Sequence, residues 1–231
     1  MSDSDSRIIR AYGVLNAEAT GMNQGMAWPG YFVIDKQGII REKFFELKYQ
    51  QRFSPNNVIG KLFPSLSAEV SNKIDAPHLG LATWQSDRNA SPGTRVTLGV
   101  EVHLPAGVHV YSPAVQGYKP IELAISPAPE IELAALSYPR AKILYLPAIK
   151  ERVPVFEGTF RITQDLQVSS APEFSKALQG AGGQTLVIKG QLKYQACDRT
   201  ICYVPVTIPL EWQLAVAPLD LQRAPDPIRH K

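Results

Sequence analysis

Cysteine is nearly absent from this 231-residue chain: there are two, Cys197 and Cys202, and none precedes them. Thiol chemistry is therefore confined to one short segment, and a framework of several disulfides is excluded. Long apolar runs are missing too. No stretch approaches the roughly 18 residues that span a bilayer as a helix. The start, Met1-Ser2-Asp3-Ser4-Asp5-Ser6, lacks the basic and apolar regions of a secretory signal. The chain as written is then expected to be a piece of a longer protein or to act in the cytoplasm, where a cycling dithiol is more usual than a stable disulfide.

Charge of one sign is also scarce. The formal net charge is +3, and the densest basic region, Lys36, Arg41, Lys43, Lys48 and Arg52, is interleaved with Asp35, Glu42 and Glu46. That pattern describes a solvated surface and excludes a nucleic-acid footprint. No compact spacing of His109 or other ligands with the cysteines marks a metal site, and no cofactor is implied. With 45% apolar residues the composition is that of an ordinary globular protein.

What is present is alternation. Thr185 to Tyr194 reads as a strand with Leu186, Ile188, Leu192 and Tyr194 on one face. After the cysteines Val204, Val206, Ile208, Leu210, Trp212 and Leu214 alternate in turn. The four residues between Cys197 and Cys202 make a short turn, so the pair faces across a hairpin, within reach of a disulfide. Cys202 shares the register of Val204 and Val206, which points its sulfur to the apolar face. Cys197 is out of register with Leu192 and Tyr194 and requires a bulge or the turn to rotate it. The two sulfurs are then inequivalent.

Upstream, Thr94 to Leu104 is the clearest early strand, with Val96, Leu98, Val100, Val102 and Leu104 on one face. Further strands are expected at Val108 to Tyr111, Ile121 to Ile125, Ile131 to Leu136 and Phe156 to Val168, separated by Pro and Gly turns. His103 falls opposite the apolar register and reads as a surface residue.

Tyr194-Gln195-Ala196-Cys197 through Cys202-Tyr203-Val204-Pro205, with the strand ending near Trp212, resembles the N-terminal periplasmic domain of the thiol:disulfide interchange protein DsbD. The stretch Leu104 to Tyr111 resembles that family's strand beside the cysteines, and Val153-Pro154-Val155-Phe156-Glu157-Gly158 resembles its cap loop. The resemblance implies an immunoglobulin-like antiparallel β-sandwich and a periplasmic or extracytoplasmic location. It also implies thiol-disulfide exchange with a thioredoxin-fold partner as electron donor or acceptor. Cys202 becomes the sulfur that meets partner thiols and Cys197 the resolving one, with Phe156 and Tyr111 as shields. His109 stands where the family's best-known member has a tyrosine, and Pro154 and Val155 stand where it has acidic residues, so the tuning of thiol acidity is expected to differ.

Residues 1–64 read differently. Arg7 to Leu15 is expected to be a strand, Tyr31 to Phe45 a hairpin about Lys36-Gln37-Gly38, and Ser54 to Phe63 a helix. That helix is capped by Ser54, opened by Pro55, and has Val58, Ile59, Leu62 and Phe63 on one face. Ala11 to Leu15 and Trp28 to Gly38 resemble the C-terminal half of a redoxin of the thioredoxin and peroxiredoxin superfamily, which implies a cis bond before Pro29. That family's catalytic cysteine has no counterpart here. The expected organisation is a partial redoxin-like segment over 1–64, a linker over 65–77, the sandwich over 78–217 and a flexible tail over 218–231. Two other functions stay open: a binding module with a structural disulfide, and a fragment of a redoxin-type reductase or peroxidase.

Overall fold

Among the described residues, the alternating apolar positions become strands of three β-sheets and a separate hairpin. The computed structural model describes residues 3, 5–46, 48, 51–62, 70–147 and 150–220. In chain order the first elements are α1 (Arg7–Ala11), β1 (Gly30–Ile34), β2 (Ile40–Phe45), β3 (Arg52–Phe53), α2 (Pro55–Leu62) and β4 (Val70–Ile74). Then come β5 (Gly80–Gln85), β6 (Asn89–Ala90), β7 (Thr94–His103), β8 (His109–Tyr111), β9 (Glu122–Ile125) and β10 (Ile131–Ser137). The last are β11 (Lys142–Leu146), β12 (Glu151–Glu157), β13 (Thr159–Val168), α3 (Pro172–Ala181), β14 (Gln184–Tyr194), β15 (Ala196–Cys197) and β16 (Val206–Val216).

One sheet runs β10-β13-β7-β5-β4, with β3 added in parallel to β7; a second runs β6-β16-β14-β9. The inward alternation of β7 supplies Val96, Leu98, Val100 and Val102, all fully buried, and β13 adds Ile162, Leu166 and Val168. From the other sheet come Leu186, Ile188, Leu192, Leu210, Trp212 and Leu214 in the same core. Trp212 closes the gap between the layers: its indole N–H donates to the carbonyls of Trp84 at 3.0 Å and Gly99 at 3.3 Å. A buried indole with its donor satisfied in this way contributes apolar area without an unpaired polar atom. The third sheet, β11-β12-β8-β15, carries Cys197.

Several expectations give way. Val70–Ile74, expected within the linker, is a strand paired antiparallel with β5; residues 65–69 of that segment lie outside the described residues. The expected run from Phe156 to Val168 is broken at Gly158, whose φ of 68° is left-handed, into the separate strands β12 and β13. Arg7–Ala11 is a helix, not a strand: the Asp3 carboxylate accepts the N–H groups of Ile9 at 3.0 Å and Ile8 at 3.1 Å, donors a helix start leaves unpaired. No described peptide bond is cis, so the bond before Pro29 is trans. The Trp28 N–H donates to the Val14 carbonyl and Ala27 bridges Leu15, and the chain bends at Pro29 into β1 while keeping the trans isomer that X–Pro bonds ordinarily prefer.

The β1–β2 hairpin and α2 form as expected, and the Ser54 hydroxyl caps α2 by accepting the Asn57 N–H at 2.9 Å. Its apolar face is only partly used. Val58 is buried, whereas Ile59 is exposed, and α2 docks through polar contacts. Ser54 donates to Asp87 at 2.6 Å, Asn57 Nδ2 to Thr97 at 2.6 Å, and Lys61 pairs with Asp165 at 2.6 Å. Just upstream, Glu46 receives a bidentate fork from Arg95 at 2.5 and 2.9 Å. Phe63 and the tail beyond Asp220 lie outside the described residues.

Candidate functional site

The hairpin partners β14 and β16 stay in register from Gln184↔Val216 to Tyr194↔Val206. Residues 195–205 then leave that sheet. Ala196 and Cys197 pair instead with Val110 and His109 of β8, which moves the cysteine segment onto the third sheet. This transfer is the bulge-like rotation expected of Cys197, produced by a change of sheet.

Cys197 and Cys202 are bonded, with Cα atoms 4.0 Å apart. Asp198 builds the turn between them. Its Oδ1 accepts from Thr200 N and Oγ1, both at 2.7 Å, and from Ile201 N at 2.9 Å, while Oδ2 accepts from the Tyr203 hydroxyl at 2.8 Å. The Ile201 N–H is the largest cause, followed by Thr200 and Tyr203, of a carboxyl held far below the usual range. Tyr203 is held above its ordinary value by the same bond, and its ring stacks on His78 with centroids 3.7 Å apart.

The sulfurs are inequivalent, in the opposite sense to the register argument. Cys197 is 1% exposed, whereas Cys202 is exposed, as is Val204. Alternation fails there because β16 starts only at Val206. Cys197 packs with Tyr111, Val153 and Val155, and Val115, Tyr118, Leu144 and Leu146 close around them. The Tyr111 hydroxyl lies 3.9 Å from Cys202 Sγ. Tyr111 stacks on Tyr118 at 4.5 Å, and the Tyr118 hydroxyl donates to Glu151 at 2.6 Å. That bond pushes the Tyr118 phenol up to about 12, and burial raises Tyr111. Both remain protonated near neutral pH.

His109 is 4% exposed and lies opposite Cys197 in the ladder, its ring edge-on to Tyr111 at 5.6 Å. Burial lowers its pKa, against the pull of Glu157 and Asp198. Phe156 is elsewhere. In β12 the side chains alternate, so Val153 and Val155 join the cysteine cluster while Phe156 enters the main core, 6.4 Å from Tyr138 and 4.9 Å from Phe160. The expected cap loop is therefore a paired strand, and the aromatic residues clustered with the buried Cys197 are Tyr111 and Tyr118. Tyr118, Glu151 and Asp198 were not read as site residues from sequence; the Asp-x-Thr spacing after Cys197, typical of side-chain-stabilised turns, was the available signal for Asp198.

Among the described residues no group of three or more His, Cys, Asp or Glu side chains is placed to hold a metal. No described helix is long and apolar enough to cross a membrane.

No curated protein matches this chain. Among solved structures, the N-terminal periplasmic domain of ScsB from Proteus mirabilis is similar at 13% identity with a TM-score of 0.40, over 67% of this chain and 55% of that one. The chain thus covers little more than half of that structure's length. Residues 81–211, from β5 through most of β16 and including both cysteines, match the family described as thiol:disulfide interchange protein DsbD, N-terminal. The disulfide-bearing β-sandwich described above spans this match, and the chain belongs to the DsbD N-terminal domain family.

Proposed function

We propose that this chain is a thiol-disulfide exchange module that passes reducing equivalents between thioredoxin-fold partners through Cys197 and Cys202. The observation that most supports it is the exposure of Cys202 beside a 1% exposed Cys197. Exchange requires a thiolate to reach one sulfur, and the accessible sulfur selects the site of attack. A purely structural bridge here closes a very short loop and adds little stability.

In the reducing direction, a partner thiolate, its proton lost to solvent, attacks Cys202 Sγ. The partner–Cys202 bond forms, the Cys197–Cys202 bond breaks, and Cys197 leaves as a thiolate that takes up a proton in its apolar cluster. The partner's second thiolate then attacks its own sulfur in the mixed disulfide. Cys202 leaves and is protonated, two electrons having entered this chain. In reverse, the Cys202 thiolate attacks the partner disulfide and Cys197 resolves the mixed species. Tyr111, protonated and 3.9 Å from Cys202 Sγ, donates to the Cys202 thiolate in both directions. Ile201 and Val204, 56% and 81% exposed on either side of Cys202, offer apolar surface to an incoming partner.

An extracytoplasmic setting accords with the family membership and with a bonded pair. The test is the reduction potential in glutathione buffers together with turnover against a reduced thioredoxin. A potential above about −300 mV with rapid oxidation of thioredoxin is expected; a lower potential with no exchange overturns the assignment.

A further inference from the structure

β8 lies between β12 and β15, and one row of side chains crosses all three strands: Glu157, His109 and Cys197 are directly opposed in the two ladders. Opposed residues of antiparallel strands share a face, with Cβ atoms roughly 4.5–5.5 Å apart. The neighbouring opposed pair, Val110 and Ala196, belongs to the main core, so His109 and Tyr111 lie with Cys197 on the other face. His109 and Cys197 are both buried.

Among the described residues three buried side-chain polar atoms have no hydrogen-bond partner, and His109 Nε2 is one of them. An orphaned polar atom is costly to bury, and beside a reactive bond it points to another state of the site in which it is satisfied. The bonded pair offers no hydrogen; the reduced pair does. Breaking the S–S bond frees Cys197 Sγ to turn about its Cα–Cβ bond, and its new S–H is the donor that an Nε2 lone pair lacks. The charged groups around the ring are Glu157, 3.7 Å from Lys142 of β11, and Asp198 in the cysteine turn. Both carboxylates favour the imidazolium, but burial outweighs them, and the neutral ring that results is the form able to accept a proton.

Resting on the exchange reading above, we propose that His109 Nε2 is the proton acceptor for Cys197, taking the thiol proton from Sγ as that sulfur attacks the mixed disulfide and returning one when Cys197 is the leaving sulfur. In resolution, Cys197 S–H gives its proton to Nε2 and the thiolate attacks Cys202 Sγ. The Cys197–Cys202 bond forms, the partner–Cys202 bond breaks with the partner leaving as a thiolate, and the imidazolium releases its proton to solvent. When the pair is reduced, the imidazole gains a solvent proton and hands it to the departing Cys197 thiolate.

The test compares, across pH, the thiolate absorbance of the full chain carrying Cys202→Ser with that of Cys202→Ser/His109→Gln, in which glutamine occupies the site without titrating. Near neutral pH the thiolate fraction of Cys197 should be at least about tenfold larger with the imidazole present; equal fractions overturn the proposal. Should the glutamine variant fail to fold, the imidazole nitrogens of the ¹⁵N-labelled native chain decide. Reduction by dithiothreitol should then move the Nε2 resonance away from the unpaired lone-pair type, and an unchanged resonance overturns the proposal. Neither readout needs a partner protein. Coupling of Cys197→Ser to an activated thioredoxin proceeds through Cys202 alone and reports on the exchange reading, so the two can fail separately.

Discussion

The two cysteines were legible because they are alone, and their inequivalence followed from parity, but which sulfur is covered did not. Val204 and Cys202 share a register that exists only if the strand continues back through them, and it does not: Val204 is 81% exposed. Phe156 misled for a related reason, because one step along β12 separates the cysteine cluster from the main core. Tyr118 and Glu151 could not be read at all, since their contact joins residues far apart in the chain. Tyr111→Ala should accelerate reduction by dithiothreitol by roughly tenfold, the effect of about 1.4 kcal/mol on a barrier. Tyr111→Phe should leave that rate nearly unchanged while raising the Cys202 thiol pKa in a Cys197→Ser background, read from the pH dependence of alkylation. Unchanged rates in Tyr111→Ala would remove the tyrosine from the shield. His109 adds a pH effect. Its folded pKa lies below the ordinary 6.5, so as pH falls below that value the unfolded chain takes up the proton first and stability declines until the folded imidazole is also protonated. His109→Gln should therefore lose less stability than the native chain between about pH 7.5 and about pH 5.5 in urea titrations; parallel losses would show the ring to be unperturbed.

Among elements, strands with clean two-residue alternation, β7, β14 and β16, were legible, and those that carry apolar side chains on the exposed face as well as the covered one were not. In β11, for example, Ile143 and Tyr145 are exposed, so hydrophobicity gives no parity. β4, Val-Ser-Asn-Lys-Ile, carries almost no apolar signal and exists because β5 offers it an open edge. The turn between the cysteines is held by one carboxylate. Asp198→Asn keeps the shape and weakens charge-assisted bonds to Ile201, Thr200 and Tyr203. The depressed folded pKa means that this stabilisation is present above the ordinary 3.8 and is lost as pH falls through the folded value. The variant should show a less stable turn at neutral pH, seen as faster amide exchange at Thr200 and Ile201, and no difference from the native chain in strong acid. Equal exchange rates at neutral pH would contradict the anchoring role.

For the whole molecule, the sandwich was legible and its boundary was not. Glu46, Phe53, Asn57 and Lys61 reach the sandwich from the segment expected to stand apart, through ion pairs, a cation–π contact of Phe53 with Arg95 and a hydrogen bond that no periodicity announces. A fragment starting at residue 70 should be more stable than one starting at residue 78 by on the order of 2 kcal/mol, the scale of covering one aliphatic side chain such as Ile74; equal urea midpoints would make β4 dispensable. This scaffold holds one sulfur out and one in, and the proposed exchange with partner proteins depends on that difference. The most direct measurement is the rate at which Cys197→Ser and Cys202→Ser, each reduced, form a mixed disulfide with a thioredoxin whose single active-site cysteine is activated by thionitrobenzoate. Cys197→Ser, reacting through Cys202, should couple at least about tenfold faster than Cys202→Ser; equal rates, or faster coupling through Cys197, would contradict the account.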